Sequence, residues 1–361
     1  MIIESVKLNN FRNYEEMEIP FDPGTNIFHG KNAQGKTNIL EAVFLCGTTR
    51  SHRQAKDREM IRFGEEESHL RMSLVKRDIT YRIDMHLKKS KAKGIAINGV
   101  PIHRASELVG IGYFVFFSPE DLNIIKNGPA ERRRFLDMHL CQMNMHYIQN
   151  LASYQKALMQ RNRLLKDLFF HPEYRDTLDV WDAQLVRYGT QVIKEREKFV
   201  LQFAGKVKEV HRSLTGGKEE LILSYEKNTG PFQFAGALIE NRSKDERMKI
   251  TSCGPHRDDL SFLINGVDIR RYGSQGQQRT AALSLKLAEI GMIREKTGDT
   301  PVLLLDDVLS ELDSDRQRYL LSSIQDIQTL ITCTGVEDFV ENRFPIDSLF
   351  FVNDGNVLKE S

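Results

Sequence analysis

Residues 28–42 of this chain read FHGKNAQGKTNILEA, a glycine-rich stretch between a strand pattern and a helix pattern. Gly30 is followed by four residues and then by Gly35, Lys36 and Thr37. Glycines let successive backbone N–H groups face one point, and the start of a helix favours anions, so this spacing is typical of a phosphate-binding loop. A chance match in a turn is the alternative, and the strand–loop–helix context argues against it.

The loop predicts a nucleotide site. We expect Lys36 to reach the β- and γ-phosphates and Thr37 to give its hydroxyl to Mg²⁺. The predicted nucleotide contacts in this stretch are Gly30, Lys31, Asn32, Ala33, Gln34, Gly35, Lys36, Thr37 and Asn38.

Apolar patterns on either side of the loop indicate the organisation of the chain. Period-two alternation predicts strands in the first third, and apolar strands alternate with helices in the last third. Between Pro129 and about Leu214, apolar stripes at three- and four-residue spacing predict two long helices. The break FFHPEYRD between them predicts an antiparallel hairpin. The chain therefore predicts an α/β fold built from both chain ends and interrupted by a helical insertion.

The apolar run PVLLLDD ends in two carboxylates, Asp306 and Asp307. A strand beside the P-loop strand would bring Asp306 to the Mg²⁺ ion, and we expect it to hold the metal through water. Asp307 would then face the γ-phosphate and orient or deprotonate the attacking water. The predicted catalytic residues are Lys36, Asp306 and Asp307. A buried strand ending in a polar turn is the alternative, and the P-loop weighs against it.

A second glycine-containing loop, YGSQGQQRT, precedes a predicted amphipathic helix. Ser274 and Gly276 lie at the start of that helix, which makes the loop a second candidate anion site. Local pattern alone favours an ordinary capped helix. Along the chain, the phosphate-binding loop (P-loop) comes first, this second loop follows, and the strand that ends in Asp306 and Asp307 comes last. This order favours a different role for the second loop, which would cover the γ-phosphate bound by a partner subunit.

Composition excludes several classes. The chain has 361 residues, 28% of them charged, and a formal net charge of +1, so any DNA contact must come from local basic patches. Its four cysteines have no CxxC spacing, which argues against a cysteine zinc site and a disulfide framework. The sequence shows no signal peptide and no apolar run long enough to cross a membrane. We therefore expect a cytoplasmic protein.

The order of the three motifs resembles that of the ABC-type ATPases, and more closely that of the RecF family, related to the heads of SMC proteins. The stretches that carry the resemblance are LNNFRNY, GKNAQGKTNILEA, FSPEDL, GPAERRRFLD, GPHRDDL, YGSQGQQRT and LLLDDVLSELD. It implies an ABC-type P-loop ATPase head, a mixed sheet with helices, plus an inserted helical arm subdomain. With the helix pattern, it implies a head over 1–120 plus 236–361 and an arm over 121–235.

The resemblance also implies a function in recombinational repair, the SOS response and replication-fork recovery. It implies that ATP and Mg²⁺ drive a head-to-tail homodimer that clamps double-stranded DNA at gaps and single-strand/double-strand junctions. RecR and RecO are the implied protein partners in recombinase loading. The implied enzyme is a weak, DNA-stimulated ATPase whose slow hydrolysis drives release.

The match to ABC motifs is close but incomplete. Ser274, Gly276 and Gln277 match the signature loop, with Gln275 in place of its first glycine, and residues 310–313 match the D-loop. Asp307 replaces the usual glutamate and is one methylene shorter. Where most relatives place a histidine at the γ-phosphate, the stretch LITCTG offers Thr334, and the nearest candidate for a Q-loop residue is Glu120. A shorter base and a missing phosphate contact both predict slow turnover.

Basic clusters are the candidate DNA contacts, although each taken alone is more often a solvated surface. The predicted DNA contacts are Arg50, Arg53, Lys56, Arg132, Arg133 and Arg134, and further candidates are the run KKSKAK and the arm residues Arg161, Arg163 and Lys166. Phosphate contacts would give salt-sensitive binding with little sequence preference. No basic run is interleaved with aromatic residues, which favours duplex over single-stranded DNA.

Two alternatives of function remain open at this point: an ATPase subunit of a transporter, and an SMC-like chromosome protein. The short helical hairpin argues against both, since the second needs a long coiled coil. Two residues also stay open. His256 in GPHRDDL is either a catalytic or sensor group or part of a structural turn, and Arg12 either approaches the nucleotide or lies on the surface.

Overall fold

A computed structural model describes residues 1–336, 339 and 344–360 of the chain. The chain divides into two compact units. Unit 1 comprises Met1–Asp121 and Glu289–Ser361, and unit 2 comprises Leu122–Ala288. The helical insertion is thus flanked by two segments that fold together, as the sequence pattern predicts.

Unit 1 contains two six-stranded sheets. The antiparallel sheet has the order β2-β1-β4-β5-β6-β7, with β1 (Ile2–Phe11), β2 (Tyr14–Pro20), β4 (Glu67–Lys76), β5 (Ile79–Lys88), β6 (Gly94–Ile97) and β7 (Val100–Ile102). The mixed sheet has the order β15-β14-β3-β13-β12-β8, with β3 (Thr25–His29), β8 (Phe114–Phe117), β12 (Val302–Asp306), β13 (Thr329–Cys333), β14 (Ser348–Asn353) and β15 (Asn356–Glu360). Only the edge pair β14–β15 of this sheet is antiparallel among the described residues.

Burial explains why the two sheets have different sequence patterns. Every residue of β12 and β13 is buried, and both strands are mainly apolar, as parallel strands covered on both faces require. Strand β4 alternates between exposed and buried residues because one of its faces is open. Helix α1 (Lys36–Thr48) contacts strands of both sheets, and residues 39–46 are all buried. The remaining labelled helices that lie wholly in unit 1 are α2 (Asp57–Met60) and α10 (Ser314–Ser323).

Unit 2 is mainly helical. Its helices are α3 (Leu122–Lys126), α4 (Pro129–Met143), α5 (Met145–Asp167), α6 (Leu178–Leu214), α7 (Phe234–Met248) and α8 (Ile269–Tyr272), and α9 (Gln275–Thr297) begins in it. Helices α5 and α6 pack along each other, and the break predicted between them is the connection 168–177, which contains the 3-10 helix Pro172–Thr177. Most of the predicted stripe is buried, while Leu158 and Trp181 are partly buried against the core.

A small antiparallel sheet belongs to the same unit. It has the order β11-β10-β9, with β9 (Leu221–Glu226), β10 (Asp259–Ile264) and β11 (Val267–Asp268). Strand β9 lies in the segment expected to be the arm, and β10 lies in the segment expected to be the head, yet the two strands pair along their whole length.

Because of this pairing, one of the two boundaries between the units differs from the boundary expected from the sequence. The first edge, between residues 121 and 122, lies next to the expected one, but the second lies between 288 and 289 rather than near 236. Residues 236–288 pack with the helical segment because β10 pairs with β9 and α7 packs on α5 and α6.

Two further expectations concern the whole chain. The four cysteines are all free thiols in the structure. Among the described helices, none combines the length and the apolar character that a membrane crossing requires.

Candidate nucleotide site

The P-loop connects β3 to α1, as predicted. Gly30 and Gly35 have φ values of 143° and 109°, which only glycine adopts readily. A Cβ at Gly30 would lie 2.4 Å from the carbonyl oxygen of Val352, so space as well as conformation requires glycine there. The loop therefore curls as a phosphate-binding backbone needs.

Lys36 occupies the first position of α1 and turns back into the loop. Its Nζ donates to the carbonyl oxygens of Gly30 at 2.6 Å and Lys31 at 2.8 Å. Burial lowers the pKa of the ammonium, and the Asp307 carboxylate opposes that effect. A cation is thus held at the centre of the loop.

Asp306, at the end of β12, is bonded to the P-loop helix. Its Oδ1 accepts a hydrogen bond of 2.6 Å from the Thr37 hydroxyl and one of 2.7 Å from the Thr332 hydroxyl. Burial raises the pKa of this carboxyl, while the bonds from Thr37 and Thr332 hold it lower. A hydroxyl and a carboxylate oxygen side by side are a donor pair that suits Mg²⁺, so Thr37 and Asp306 fit the predicted metal site.

Asp307 has a strained backbone. Its φ is 51°, a left-handed value that costs a non-glycine residue energy and clusters at functional sites. Its amide donates to the carbonyl and hydroxyl oxygens of Thr332, each at 3.1 Å. Burial raises the pKa of its carboxyl, and Lys36 lowers it. The strain is compensated by these bonds, and Asp307 lies at the same cavity as Lys36.

These residues surround one cavity of about 310 Å³, lined by Asn32, Ala33, Gly35, Lys36, Thr37, Asn38, Arg53, Asp306, Asp307 and Thr332. Arg53 was expected to contact DNA, but the structure places it at the nucleotide cavity. Burial and the two threonine hydrogen bonds have the largest effects on the pKa of Asp306. Beyond these, the positive charge of Arg53 lowers this pKa and the negative charge of Glu120 raises it. Glu120, the weak Q-loop candidate, therefore acts on this site electrostatically.

Two residues that sequence reasoning did not assign brace the P-loop. The Asn13 amide donates to the carbonyl oxygen of Gln34 at 3.0 Å and accepts from Asn38 at 2.8 Å. The buried Tyr14 donates its hydroxyl to the carbonyl oxygen of Gly35 at 3.1 Å. The only signal was their place in LNNFRNY, which carried the resemblance without a role.

Arg12 has a different role from either of its two interpretations. Its guanidinium forms a bidentate ion pair with the Glu41 carboxylate of α1, with N–O distances of 2.8 and 2.9 Å. It also donates to the Glu59 carbonyl oxygen. Glu41 is fully buried and also accepts from Ser51. Removing one partner of such a pair would leave a buried charge, so Arg12 anchors the P-loop helix.

The signature loop lies in unit 2 and forms a helix cap. The Ser274 hydroxyl accepts from the Gln277 amide N–H at 3.2 Å, and the Gln277 side chain accepts from the Ser274 amide at 3.0 Å. This reciprocal pair is a capping box. Ser274 and Gly276 are exposed. The local geometry is that of a capped helix whose N-terminus is open to an external anion.

The predicted D-loop follows Asp307. Ser310 donates to the carbonyl oxygen of Asp307 at 2.8 Å, and the Asp313 side chain caps α10 by accepting from the Arg316 amide. Thr334, in the position where a histidine was expected, is exposed.

Two of the candidate DNA contacts are buried in ion pairs. Arg132 is 1% exposed and pairs with Asp259 at 2.6 and 3.0 Å. Arg161 is fully buried and pairs with Asp182 and Asp245. Buried charges need partners, and their acidic partners lie far away in the sequence.

The other basic candidates are accessible to different degrees. Arg133 is partly buried and donates to the carbonyl oxygen of Asp258. Arg134 is partly buried and pairs with Glu131. Arg50 and Lys56 are exposed.

The stretch GPHRDDL serves as an anchor within unit 2. Asp258 accepts from Arg196 at 3.1 Å and from the Asn228 amide at 2.9 Å. His256 accepts from the Tyr154 hydroxyl at Nδ1 (2.6 Å) and donates from Nε2 to the Thr251 carbonyl oxygen (3.0 Å). Burial lowers the pKa of His256 to about 4, which keeps the ring neutral. This geometry favours the structural interpretation of the segment.

The fold and the cavity define an ATPase head of the kind found in SMC proteins. A family model described as the RecF/RecN/SMC N terminal domain matches residues 2–355. The chain is 58% identical to "DNA replication and repair protein RecF" of Agathobacter rectalis, over 99% of each chain. The chain therefore belongs to the RecF family.

Solved structures agree with this assignment. The chain is similar to a structure described as the recombination mediator protein RecF-ATP in the RecFOR pathway, with a TM-score of 0.92, 35% identity and coverage of 100% and 98% of the two chains. An SMC head bound to the C-winged helix domain of ScpA has a TM-score of 0.57 at 17% identity, covering 100% of this chain and 98% of that chain, which shows the fold alone.

Proposed function

We propose that this protein binds and hydrolyses ATP to control a dimeric clamp on DNA in replication and repair. The single observation that supports this most is the cavity where Lys36, Thr37, Asp306 and Asp307 meet. The relatives named above supply the DNA-repair context.

Each residue of the cavity has a separate role in the proposal. The Lys36 ammonium and the loop N–H groups hold the β- and γ-phosphates, and Arg53 adds positive charge. Thr37 and Asp306 would hold Mg²⁺, which supplies charge neutralisation at the transferring phosphoryl group. Asp307 orients or deprotonates the attacking water, because its carboxyl shares the cavity with Lys36.

Hydrolysis is proposed to be slow and stimulated by DNA. Asp307 is shorter than a glutamate, and its backbone is fixed by Thr332, so its carboxylate has limited reach. A misplaced base costs about two or more decades in rate. Slow hydrolysis would act as a timer for release of DNA.

The dimer is proposed to be head-to-tail, with two ATP molecules between the P-loop of one subunit and Ser274, Gly276 and Gln277 of the other. The support is the exposed N-terminus of α9, which offers free N–H groups and a positive dipole end to an anion.

DNA contacts are proposed for exposed cations, chiefly Arg50 and Lys56, with Arg134 as a further candidate. Double-stranded DNA and single-strand/double-strand junctions are the proposed targets, bound through phosphates. RecR and RecO are the proposed partners in recombinase loading, by analogy with the RecFOR pathway named for the structural relative.

The test is sedimentation of the Asp307→Asn variant with and without Mg-ATP, then with gapped duplex DNA. This substitution removes the base but keeps the phosphate contacts, so we expect ATP-dependent dimers and longer retention on DNA. Lys36→Ala is the matched control, which should stay monomeric with ATP. A monomeric Asp307→Asn protein with ATP firmly bound and DNA present would contradict the clamp.

A further inference from the structure

Two histidines and a glutamate meet on one face of the antiparallel sheet in unit 1. Strands β4 and β5 pair antiparallel, with His69 directly opposite His86. Glu67 lies two residues before His69 on β4, so the two side chains stand on the same face. The two imidazole rings stack with their centroids 3.9 Å apart.

The side-chain atoms are close enough to share one ion. Glu67 Oε2 lies 2.9 Å from His86 Nε2, and Glu67 Oε1 lies 3.7 Å from His69 Nε2. One ligand atom from each residue lies within 4.8 Å of the other two. In a tetrahedral zinc site, neighbouring ligand atoms are about 3.3 Å apart, so shifts of about 1 Å complete the arrangement.

The side chains are free to make such shifts. Those of Glu67 and His69 are 52% and 54% exposed, and that of His86 is 29% exposed. The exposed His69 and Glu67 side chains rotate at little cost, so they can adjust to the less exposed His86 and point at one centre.

Two cations near the cluster, Lys7 and Arg71, already have acidic partners other than Glu67. Lys7 pairs with Glu16 and Glu18, and Arg71 pairs with Asp84 at 2.6 Å. Lys7, Arg71 and Asp84 line the same surface depression as the two histidines. Lys7 and Arg71 therefore do not depend on Glu67 for charge compensation, whereas Lys88 is paired with Glu67 itself.

We propose that Glu67, His69 and His86 bind a divalent transition-metal ion such as Zn²⁺, with water completing its coordination. Two imidazole nitrogens and one carboxylate suit Zn²⁺ or Co²⁺ better than Mg²⁺, which prefers oxygen ligands. Since the ligands come from two strands, the ion would cross-link β4 to β5. This site is separate in sequence and chemistry from Thr37 and Asp306.

The first experiment titrates Zn²⁺ into metal-free, nucleotide-free protein by calorimetry, with Co²⁺ absorption as the second readout. We expect wild type to bind one equivalent of Zn²⁺. The His69→Gln and His86→Gln variants should bind this ion at least ten-fold more weakly. His103→Gln, which removes another exposed histidine of unit 1, is the matched control and should retain it. Any ion bound at Asp306 would be common to all these variants.

A variant that should increase Zn²⁺ affinity distinguishes loss of binding from loss of structure. The Lys88 ammonium lies 3.8 Å from Glu67 and competes for its carboxylate. Lys88→Gln should therefore bind Zn²⁺ more tightly than wild type, by a few-fold. Zn²⁺ should also raise the melting temperature of wild type and not that of the double variant His69→Gln/His86→Gln.

Equal stoichiometry and affinity in wild type and the double histidine variant would overturn the proposal. Binding seen only at millimolar Zn²⁺ would also overturn it, since any exposed histidine pair would behave in that way.

Discussion

Arg53 shows how a single exposed side chain changes role once the fold is known. It lines the phosphate cavity and its charge lowers the pKa of Asp306, behind the effects of burial and the threonine bonds. The cation therefore acts on the nucleotide site, although its position in a basic run favoured DNA.

We predict that Arg53→Ala weakens Mg-ATP binding about three- to ten-fold, because it removes one partly screened charge from the cavity. Titration with a fluorescent ATP analogue measures this. Arg50→Ala is the matched control: it should leave ATP affinity unchanged and lower affinity for duplex DNA. The assignment of Arg53 fails if both variants bind the analogue like wild type.

His256 carries a prediction about pH. Its pKa is lowered to about 4 by burial, against an ordinary value of 6.5. A folded-state pKa below the unfolded one means that the unfolded state gains the proton first. Stability is therefore unaffected by this group above about pH 6.5 and falls as the pH drops from there toward 4.

Between pH 7 and pH 5 we expect wild type to lose about 2 kcal/mol more unfolding free energy than His256→Gln. The single tryptophan, Trp181, packs against the core of unit 2, so its fluorescence reports the unfolding of that unit in urea. His146→Gln, which removes an exposed histidine of the same unit, should follow wild type. Parallel losses in wild type and His256→Gln would contradict the neutral buried ring.

Which residues could be predicted from the sequence depends on how local their partners are. The P-loop and the Asp306–Asp307 pair were predicted because contiguous residues specify them. The buried ion pair of Arg132 could not be predicted, because its partner, Asp259, lies 127 residues away. The cluster of Glu67, His69 and His86 was missed for the same reason, since strand register alone makes His69 and His86 neighbours.

At the scale of elements, a hydrogen-bonded chain links the long helix α6 to the signature loop. His211 of α6 lies 3.2 Å from Glu219, and Glu219 accepts from the Gln277 side chain at 2.9 Å. Gln277 in turn forms the capping box with Ser274. The start of α9 is therefore positioned by the segment that follows α6.

We predict that Glu219→Ala lowers kcat for ATP hydrolysis several-fold and leaves ATP binding by the monomer unchanged. The physical reason is that Gln277 loses its anchor, while the P-loop cavity belongs to unit 1. Glu220→Ala is the matched control, since Glu220 is the adjacent residue and pairs with the exposed Lys208. Steady-state kinetics measure both variants, and an equal kcat in wild type and Glu219→Ala would contradict the link.

The helices and strands were easier to predict than the pairing between distant strands. Alternation and helical stripes gave the strands of unit 1 and the α5–α6 hairpin, because burial imposes those periods directly. The pairing of β9 with β10 could not be predicted, because backbone hydrogen bonds between distant strands leave no local pattern. That pairing moved residues 236–288 into unit 2.

At the scale of the whole molecule, the proposed sandwich makes each active site depend on two chains. A subunit with Lys36→Ala keeps a working signature loop, and a subunit with Ser274→Arg keeps a working P-loop. Neither protein alone should hydrolyse ATP, because each of its sites lacks one half.

We predict that mixing the two variants restores ATP hydrolysis, since the mixed dimer contains one complete site. Turnover should rise with the concentration of the second variant and reach at most about half of the wild-type rate per dimer. Activity that stays at the level of the separate variants, with mixed dimers detected by sedimentation, would contradict a shared site.

The cap at the start of α9 has a consequence for the order of events. The Ser274 hydroxyl accepts a hydrogen bond from the Gln277 N–H of its own helix. In the proposed dimer, a phosphate oxygen of the partner's ATP can accept this hydrogen bond in place of the serine. The Ser274 hydroxyl can then donate to the phosphate. The nucleotide is then a replaceable cap of the helix, and after loss of the γ-phosphate the Gln277 N–H would bond to Ser274 again.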